Sequence, residues 1–330
     1  MKFLLFFLSF FYRVGCQAKN LLYSWKILRP KKAPLTVISI GNIAFGGTEK
    51  TPLVMNLISF LDKQGFKPAL ISRGYKGKWE KKGDVLSNGK SLFGTWKDSG
   101  DEPFMVARNI PQAGVFIWKN RLKSCISAKN LSFAPAVLDD GFQHRRLHRD
   151  LDIVLFDPSE KVALREPVTS LKRAHILLIK KGINTQRKSR VKNLIPQTAT
   201  FEYDVIPKAL FNLHGKEIAP EEEMKGKKVL AFCGIARPER FSSMLQEKGL
   251  KIASFLKFPD HYPYPTSSLE KIVEKCQKIE AEALITTEKD AVKISSFEGF
   301  KKIPVYYLRI DIKLEEGFYN RVLSFLQSSK

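Results

Sequence analysis

GNIAFGGTEKTP, Gly41 to Pro52, is the stretch that decides the fold. Before it, LTVISI (Leu35 to Ile40) is an apolar, β-branched run bounded by Pro34, and it reads as a buried strand. After it, TPLVMNLISFL (Thr51 to Leu61) has helical spacing, with Pro52 in the first turn where a missing N–H is tolerated. Strand, glycine-rich loop, Lys-Thr and helix together form the arrangement that holds nucleotide phosphates. Backbone N–H groups around Gly46, Gly47 and Thr48 would face the anion, Lys50 would reach the β/γ-phosphates, and the Thr51 hydroxyl would sit on Mg²⁺. Ala44 and Glu49 stand where the usual pattern has glycine, and a glycine-rich turn before a helix can also be a plain tight connection. The flanking strand and helix favour phosphate.

The chain has 330 residues, enough for two domains, and its 44% hydrophobic and 27% charged residues describe a folded globular protein. Its 56 Lys+Arg against 33 Asp+Glu give a formal charge of +23, which suits an anionic partner: a phosphorylated substrate, a membrane surface or nucleic acid. The basic residues are spread along the chain without an aromatic-basic RNA signature, so nucleic acid is not expected. Cys16, Cys125, Cys233 and Cys276 form no CxxC pair and no Cys/His metal spacing, which excludes a zinc site or disulfide framework as the organising feature.

The N-terminus begins MKFLLFFLSFFYRVGC, with an apolar run from Phe3 to Tyr12 of ten residues, against roughly 20 needed to span a bilayer. A signal peptide competes for this reading, but no A-x-A-like site follows. Leu21, Leu22, Tyr23, Trp25, Ile27 and Leu28 then alternate with basic residues, and no acid appears before Glu49. Such a segment is expected to lie in a membrane interface, drawn to anionic lipid.

Further along, PALISRGY (Pro68 to Tyr75) reads as a strand with Arg73 at its end, and Lys76 to Lys90 as an exposed loop or hairpin. GDEP (Gly100 to Pro103) opens a helix, and the acids Asp101 and Glu102 there could be ordinary first-turn residues. AVLDDGFQHRRL (Ala136 to Leu147) is an apolar strand ending in Asp139 and Asp140, where an α/β sheet presents its Mg²⁺-holding carboxylate. The polar, basic stretch Ile183 to Pro196 reads as a linker, followed by strands near Thr200 to Val205 and Ala209 to Leu213. The alternation of elements predicts an α/β protein of two domains with largely parallel sheets flanked by helices, a P-loop NTPase-like N-terminal domain, and an N-terminal membrane-interface helix. The expected divisions are residues 1–32 (anchor), 33–182 (kinase domain), 183–199 (linker or hinge) and 200–330, the last helix free to pack back on the first domain.

GNIAFGGTEKTP, SRGY, GDEP, LDDGFQHRRL, LREP.TSLKRA, FCGIARPERF, FPDH and TTEKDAVK occur here in the order in which they occur in the tetraacyldisaccharide 4′-kinase family, and the resemblance runs from about residue 35 to the end. It implies an enzyme at the cytoplasmic face of the bacterial inner membrane; the sequence does not give the oligomeric state, a monomer being favoured. Such an enzyme transfers the γ-phosphate of ATP to the 4′-hydroxyl of tetraacyldisaccharide 1-phosphate, giving lipid IVA in lipid A biosynthesis. Carried over by motif, Lys50 and Thr51 would hold phosphates and Mg²⁺, and Asp139, Asp140 and Glu102 would belong to the metal region. Gln143 and His144 would support the nucleotide site, and Arg165 and Glu166 would lie near the nucleotide or the hinge. Asp101 would pair with His261 as an acid-base dyad, with Lys50 as the third catalytic residue, while Arg73, Arg121 and Arg146 are candidates for substrate or nucleotide phosphates.

Three departures stand out: Glu49 replaces a loop glycine, only SEKVA (Ser159 to Ala163) precedes LREP, and Tyr262 follows FPDH where the family often has a second histidine. A carboxylate beside ATP phosphates is repulsive unless neutralised, so Glu49 is expected to weaken ATP binding without abolishing activity. The competing readings are a kinase of another phosphorylated glycolipid and a catalytically degenerate nucleotide-binding homologue.

Overall fold

The structure, a computed structural model, describes residues 15, 20–46, 49–158, 164–214 and 224–328. Gly47 and Thr48, SEKVA and most of the first nineteen residues lie outside that set.

The strand expected before the phosphate loop is β1, Val37–Asn42, and all six of its residues are buried. It runs through Gly41, where a Cβ would stand 2.5 Å from the Phe142 Cβ; only glycine lets β1 approach the turn that carries the acidic pair. In chain order the other strands are β2 (Ala69–Ser72), β3 (Asp84–Asn88), β4 (Gly114–Ile117), β5 (Ala136–Asp139), β6 (Leu151–Phe156) and β7 (Ile176–Lys180). The second half adds β8 (Ala199–Asn212), β9 (Lys228–Cys233), β10 (Lys251–Lys257), β11 (Ala283–Thr287) and β12 (Val305–Leu314). The main helices are α1 (Lys50–Lys63), α2 (Asp101–Asn109), α3 (Arg121–Asn130), α4 (Thr185–Leu194), α5 (Pro238–Glu247), α6 (Thr266–Lys278), α7 (Glu288–Ile294) and α8 (Glu316–Ser328).

Both halves are α/β with largely parallel strands, and they share one sheet in the order β10-β9-β11-β12-β8-β7-β6-β1-β5-β2-β4-β3. Among the strands of the described residues, only β3 with β4 and β8 with β12 pair antiparallel. The β8–β12 pairing reverses strand direction between the halves, so in a flat sheet the C-terminal ends of β9 and β11 would face away from those of β1 and β5. The sheet instead curls around α1. Leu53, Val54, Leu57, Ile58 and Leu61 of α1 enter one cluster with Ile38 and Val137 from the first half and Leu308, Ile312 and Phe318 from the second. Each such buried side chain contributes about 1.5–3 kcal/mol. Tyr319 of α8 donates to Asn56 Oδ1 of α1 at 2.8 Å, and its ring centroid lies 4.6 Å from that of Phe60.

Three local expectations differ from what is seen. The linker stretch is largely helix α4, N-capped by Asn184, whose side chain accepts from Gln186 N, with Val191 as its buried contact. The two strands expected after it are one 14-residue strand, β8, with Pro207 accommodated opposite the irregularity between Arg309 and Ile310 of β12. The exposed loop at Lys76 to Lys90 contains a short helix, Trp79–Lys82, and the edge strand β3.

Candidate active site

A cleft of about 820 Å³ opens where the two sets of strand ends meet. One wall carries the start of α1, the β5 carboxylates and the start of α2; the other carries Arg237, Arg240, Asp260, His261 and Lys289. Of the expected site residues, Gly46, Lys50, Thr51, Asp101, Glu102, Asp139, Asp140, Arg165, His261, Arg73 and Arg121 line it.

At one end, Lys50 opens α1 and its Nζ lies 3.1 Å from Asp140 Oδ1. Arg165 Nη1 donates to both Asp140 oxygens at 2.9 and 2.8 Å. Burial works against ionising Asp140, but Lys50 and Arg165 outweigh it and hold the carboxyl below the usual carboxylate range. Asp139 behaves oppositely: burial, then the nearby Glu102 carboxylate, push it up to about 7 against the pull of Lys50. Its Oδ1 is buried with no hydrogen-bond partner among the described residues. Thr51 Oγ1 donates to Glu102 Oε2 at 3.2 Å. Thr51, Glu102 and the unpartnered oxygen of Asp139 thus form a set of hard oxygen donors that fits Mg²⁺.

At the other end, Asp101 is the first residue of α2 and is 6% exposed. His261 Nδ1 lies 2.9 and 3.1 Å from its two carboxylate oxygens, and His261 Nε2 lies 3.1 Å from Lys289 Nζ. An ammonium only donates, so Nε2 is the acceptor and Nδ1 carries the proton given to Asp101. Lys289 also pairs with Glu102 at 3.0 Å and Asp260 at 3.3 Å. Buried Lys293 pairs with Asp290 at 2.7 Å and lies 3.8 Å from Asp101. Burial disfavours ionised Asp101, yet the His261 hydrogen bond and the two lysines outweigh it and keep its carboxyl low. Asp101, Glu102 and His261 also have ligand atoms within 4.8 Å of one another. Lys289 already supplies a cation to that group, so the Asp139 side is the better metal position.

Four expected residues stand away from the cleft lining. Gln143 donates to the Asn42 carbonyl at 2.8 Å and so braces the end of β1, while His144 lies in the adjoining turn, its carbonyl accepting from Arg149. Glu166 is 2% exposed and accepts from Arg173 at 2.7 Å and Asn20 at 2.9 Å, so it ties down the N-terminal segment rather than facing a nucleotide. Arg146 is exposed beside the same segment, its carbonyl accepting from Lys31 N. Arg73 lines the cleft but is paired with Glu80 at 2.5 Å. Arg121 is 6% exposed, and burial brings its guanidinium down to about 10 against the pull of Asp139 and Asp140.

No local pattern in the sequence gives Lys289, Lys293, Asp260 or Arg240 a role. TTEKDAVK was visible as a motif, but lysines on a short helix look like a solvated face until another element covers them. Glu49 is ion-paired with Arg240 of α5.

A family model described as LpxK, tetraacyldisaccharide-1-P 4′-kinase, matches residues 1–327. The chain is 34% identical to the tetraacyldisaccharide 4′-kinase of Syntrophus aciditrophicus, over 97% of this chain and 91% of that one. It is 33% identical to the tetraacyldisaccharide 4′-kinase of Aquifex aeolicus, over 93% of each. The crystal structure of the "apo" form of LpxK from Aquifex aeolicus in complex with ATP is similar at a TM-score of 0.75 and 30% identity, covering 97% of this chain and 98% of that one.

Proposed function

The chain belongs to the tetraacyldisaccharide-1-P 4′-kinase family, and we propose that its cleft carries the ATP-dependent phosphorylation of tetraacyldisaccharide 1-phosphate at the 4′-hydroxyl, a step of lipid A biosynthesis. The observation that carries this reading is the Asp101–His261 hydrogen bond, which joins residues 160 apart in sequence within the cleft that Lys50 enters.

In the proposed mechanism, the α1 N-terminus and Lys50 take the β/γ-phosphates of ATP. Asp140 holds Lys50 and Arg165 in place until phosphate oxygens share their charge. Thr51, Glu102 and Asp139 are the residues that would hold Mg²⁺, and the ion, when bound, neutralises charge on the phosphate oxygens. The 4′-hydroxyl replaces Lys289 at His261 Nε2, which takes its proton as the oxygen attacks the γ-phosphorus and the bond from that phosphorus to the β,γ-bridging oxygen breaks, leaving ADP. Asp101 keeps the imidazole in the required tautomer and stabilises the imidazolium formed. Lys293 pairs with Asp290 and braces Asp101 from the second half. In this reading 33–182 and 200–330 are the two domains and 183–199 the connection between them.

The lipid substrate calls for a membrane surface, and the N-terminal segment is proposed to provide contact with anionic lipid at the cytoplasmic face. Trp25 is 67% and Ile27 65% exposed, beside Leu21, Leu22 and Leu28 and the basic Lys26 and Arg29. Arg145 Nη1 donates to the Asn20 carbonyl at 2.8 Å, and Asn20 to Glu166, so this apolar patch is fastened to the kinase body. No helix among the described residues is long and apolar enough to cross a membrane. The direct test of the function is Mg²⁺-dependent transfer of label from γ-labelled ATP to tetraacyldisaccharide 1-phosphate. ATP binding without transfer would refute it.

A further inference from the structure

Glu49 occupies a position that both backbone and charge disfavour. Its φ of 58° and ψ of 29° lie in the left-handed region that favours glycine. It immediately precedes Lys50 and the N-terminus of α1, a 14-residue helix whose positive end faces the cleft. Its side chain is only 12% exposed, so water does not dispose of the charge. Arg240 does, and it comes from α5 in the other half of the chain.

Arg240 differs from Arg165 and Arg73 in where its counter-ion sits. Arg165 pairs with Asp140 and Arg73 with Glu80, each within the first half. Arg240 reaches from the second half to the phosphate loop itself, and at 23% side-chain exposure it lines the same cleft as Lys50 and Thr51. A polyphosphate arriving at the α1 N-terminus therefore meets a carboxylate and a guanidinium at one spot. It repels the first, and the planar fork of the second suits phosphate oxygens in a bidentate contact. Resting on the reading of this cleft as the ATP site, we propose that Arg240 is a phosphate-binding residue and that Glu49 is its counter-ion in the nucleotide-free protein. Nucleotide binding exchanges the Glu49 carboxylate for a phosphate on the Arg240 guanidinium, which couples the phosphate loop to α5 across the cleft.

The test is equilibrium ATP binding, by titration calorimetry in the presence of Mg²⁺, to the full chain and to E49Q, R240M, R240K and E49Q/R240M, with a thermal melt of each. Losing one charge-assisted contact changes affinity about tenfold. E49Q is expected to bind ATP about tenfold more tightly than the unmodified chain, and E49Q/R240M about tenfold more weakly than E49Q. R240K, which keeps the charge without the fork, falls between the unmodified chain and R240M. If the ion pair is a permanent lock, E49Q and E49Q/R240M bind ATP equally, and that result overturns the assignment of Arg240. E49Q binding no more tightly than the unmodified chain overturns the exchange. An unmodified chain that binds no ATP refutes the function instead, so the two failures are distinguishable.

Discussion

Asp101→Asn tests the base end of the cleft most sharply. The substitution keeps the shape of a side chain that is 6% exposed but removes the charge that His261 Nδ1–H meets at 2.9 Å. Lys293 keeps its 2.7 Å partner Asp290, so no buried lysine is stranded and the chain folds. A hydrogen bond to a charged group is worth about 1.5–3 kcal/mol, and the imidazolium formed during transfer depends on this one, so kcat should fall roughly 10- to 150-fold. Among the described residues, the side-chain partners of Asp101 are His261 and Lys293 rather than any residue of the phosphate loop, so the ATP KM should move less than about threefold, as expected when the lost interaction is made only in the transition state. The assay is steady-state kinetics with both substrates varied, on Asp101→Asn, His261→Asn and the double variant. Because the two residues act as one unit, the double variant should be about as slow as the worse single one. Fully multiplicative losses, or a loss confined to KM, would refute the dyad.

Three other outcomes follow from particular side chains. Asp139 is pushed up to about 7, first by burial and then by Glu102, so without Mg²⁺ the folded protein keeps a proton that the unfolded chain releases near pH 4. Stability should therefore decline as pH rises from about 4 to 7, by at most about 1.4 kcal/mol per pH unit, and level off above; urea titrations should show Asp139→Asn lacking that slope. Mg²⁺ binding, which needs the ionised form, should strengthen over the same interval in a calorimetric titration. Leu57→Ala, in the fully buried cluster that joins both halves around α1, should cost about 2–5 kcal/mol, read as a lower urea midpoint. Replacing exposed Trp25 and Ile27 together by Asp should reduce sedimentation with anionic vesicles while leaving the thermal midpoint within about 2 °C.

The parts of this molecule legible in its sequence are those specified locally. β1, the phosphate loop and α1 follow one another without interruption, and a buried six-residue strand before a glycine-rich turn has few alternatives. Where tertiary contact decides, the residues are silent. α4 is polar along nearly its whole length, so it reads as linker until Val191 is seen buried. Pro207 suggests a break, but the irregular pairing of β12 lets β8 continue past it. The same limit governs the site. Asp139 and Asp140 announce themselves at a strand end, whereas the pairing of Asp101 with His261 came from resemblance, because no spacing rule links residues 160 apart. Glu49 looks like a defect in the loop; its neutralisation by Arg240 depends on the curl that brings the two halves together.

Phosphoryl transfer can be followed directly. Purified protein in mixed detergent–lipid micelles would be given γ-³²P-labelled ATP and tetraacyldisaccharide 1-phosphate, with and without Mg²⁺. Labelled lipid that forms only with Mg²⁺, and that is lost in Lys50→Met, is the expected result. Bound ATP with no labelled lipid would contradict it and leave a nucleotide-binding homologue without this activity.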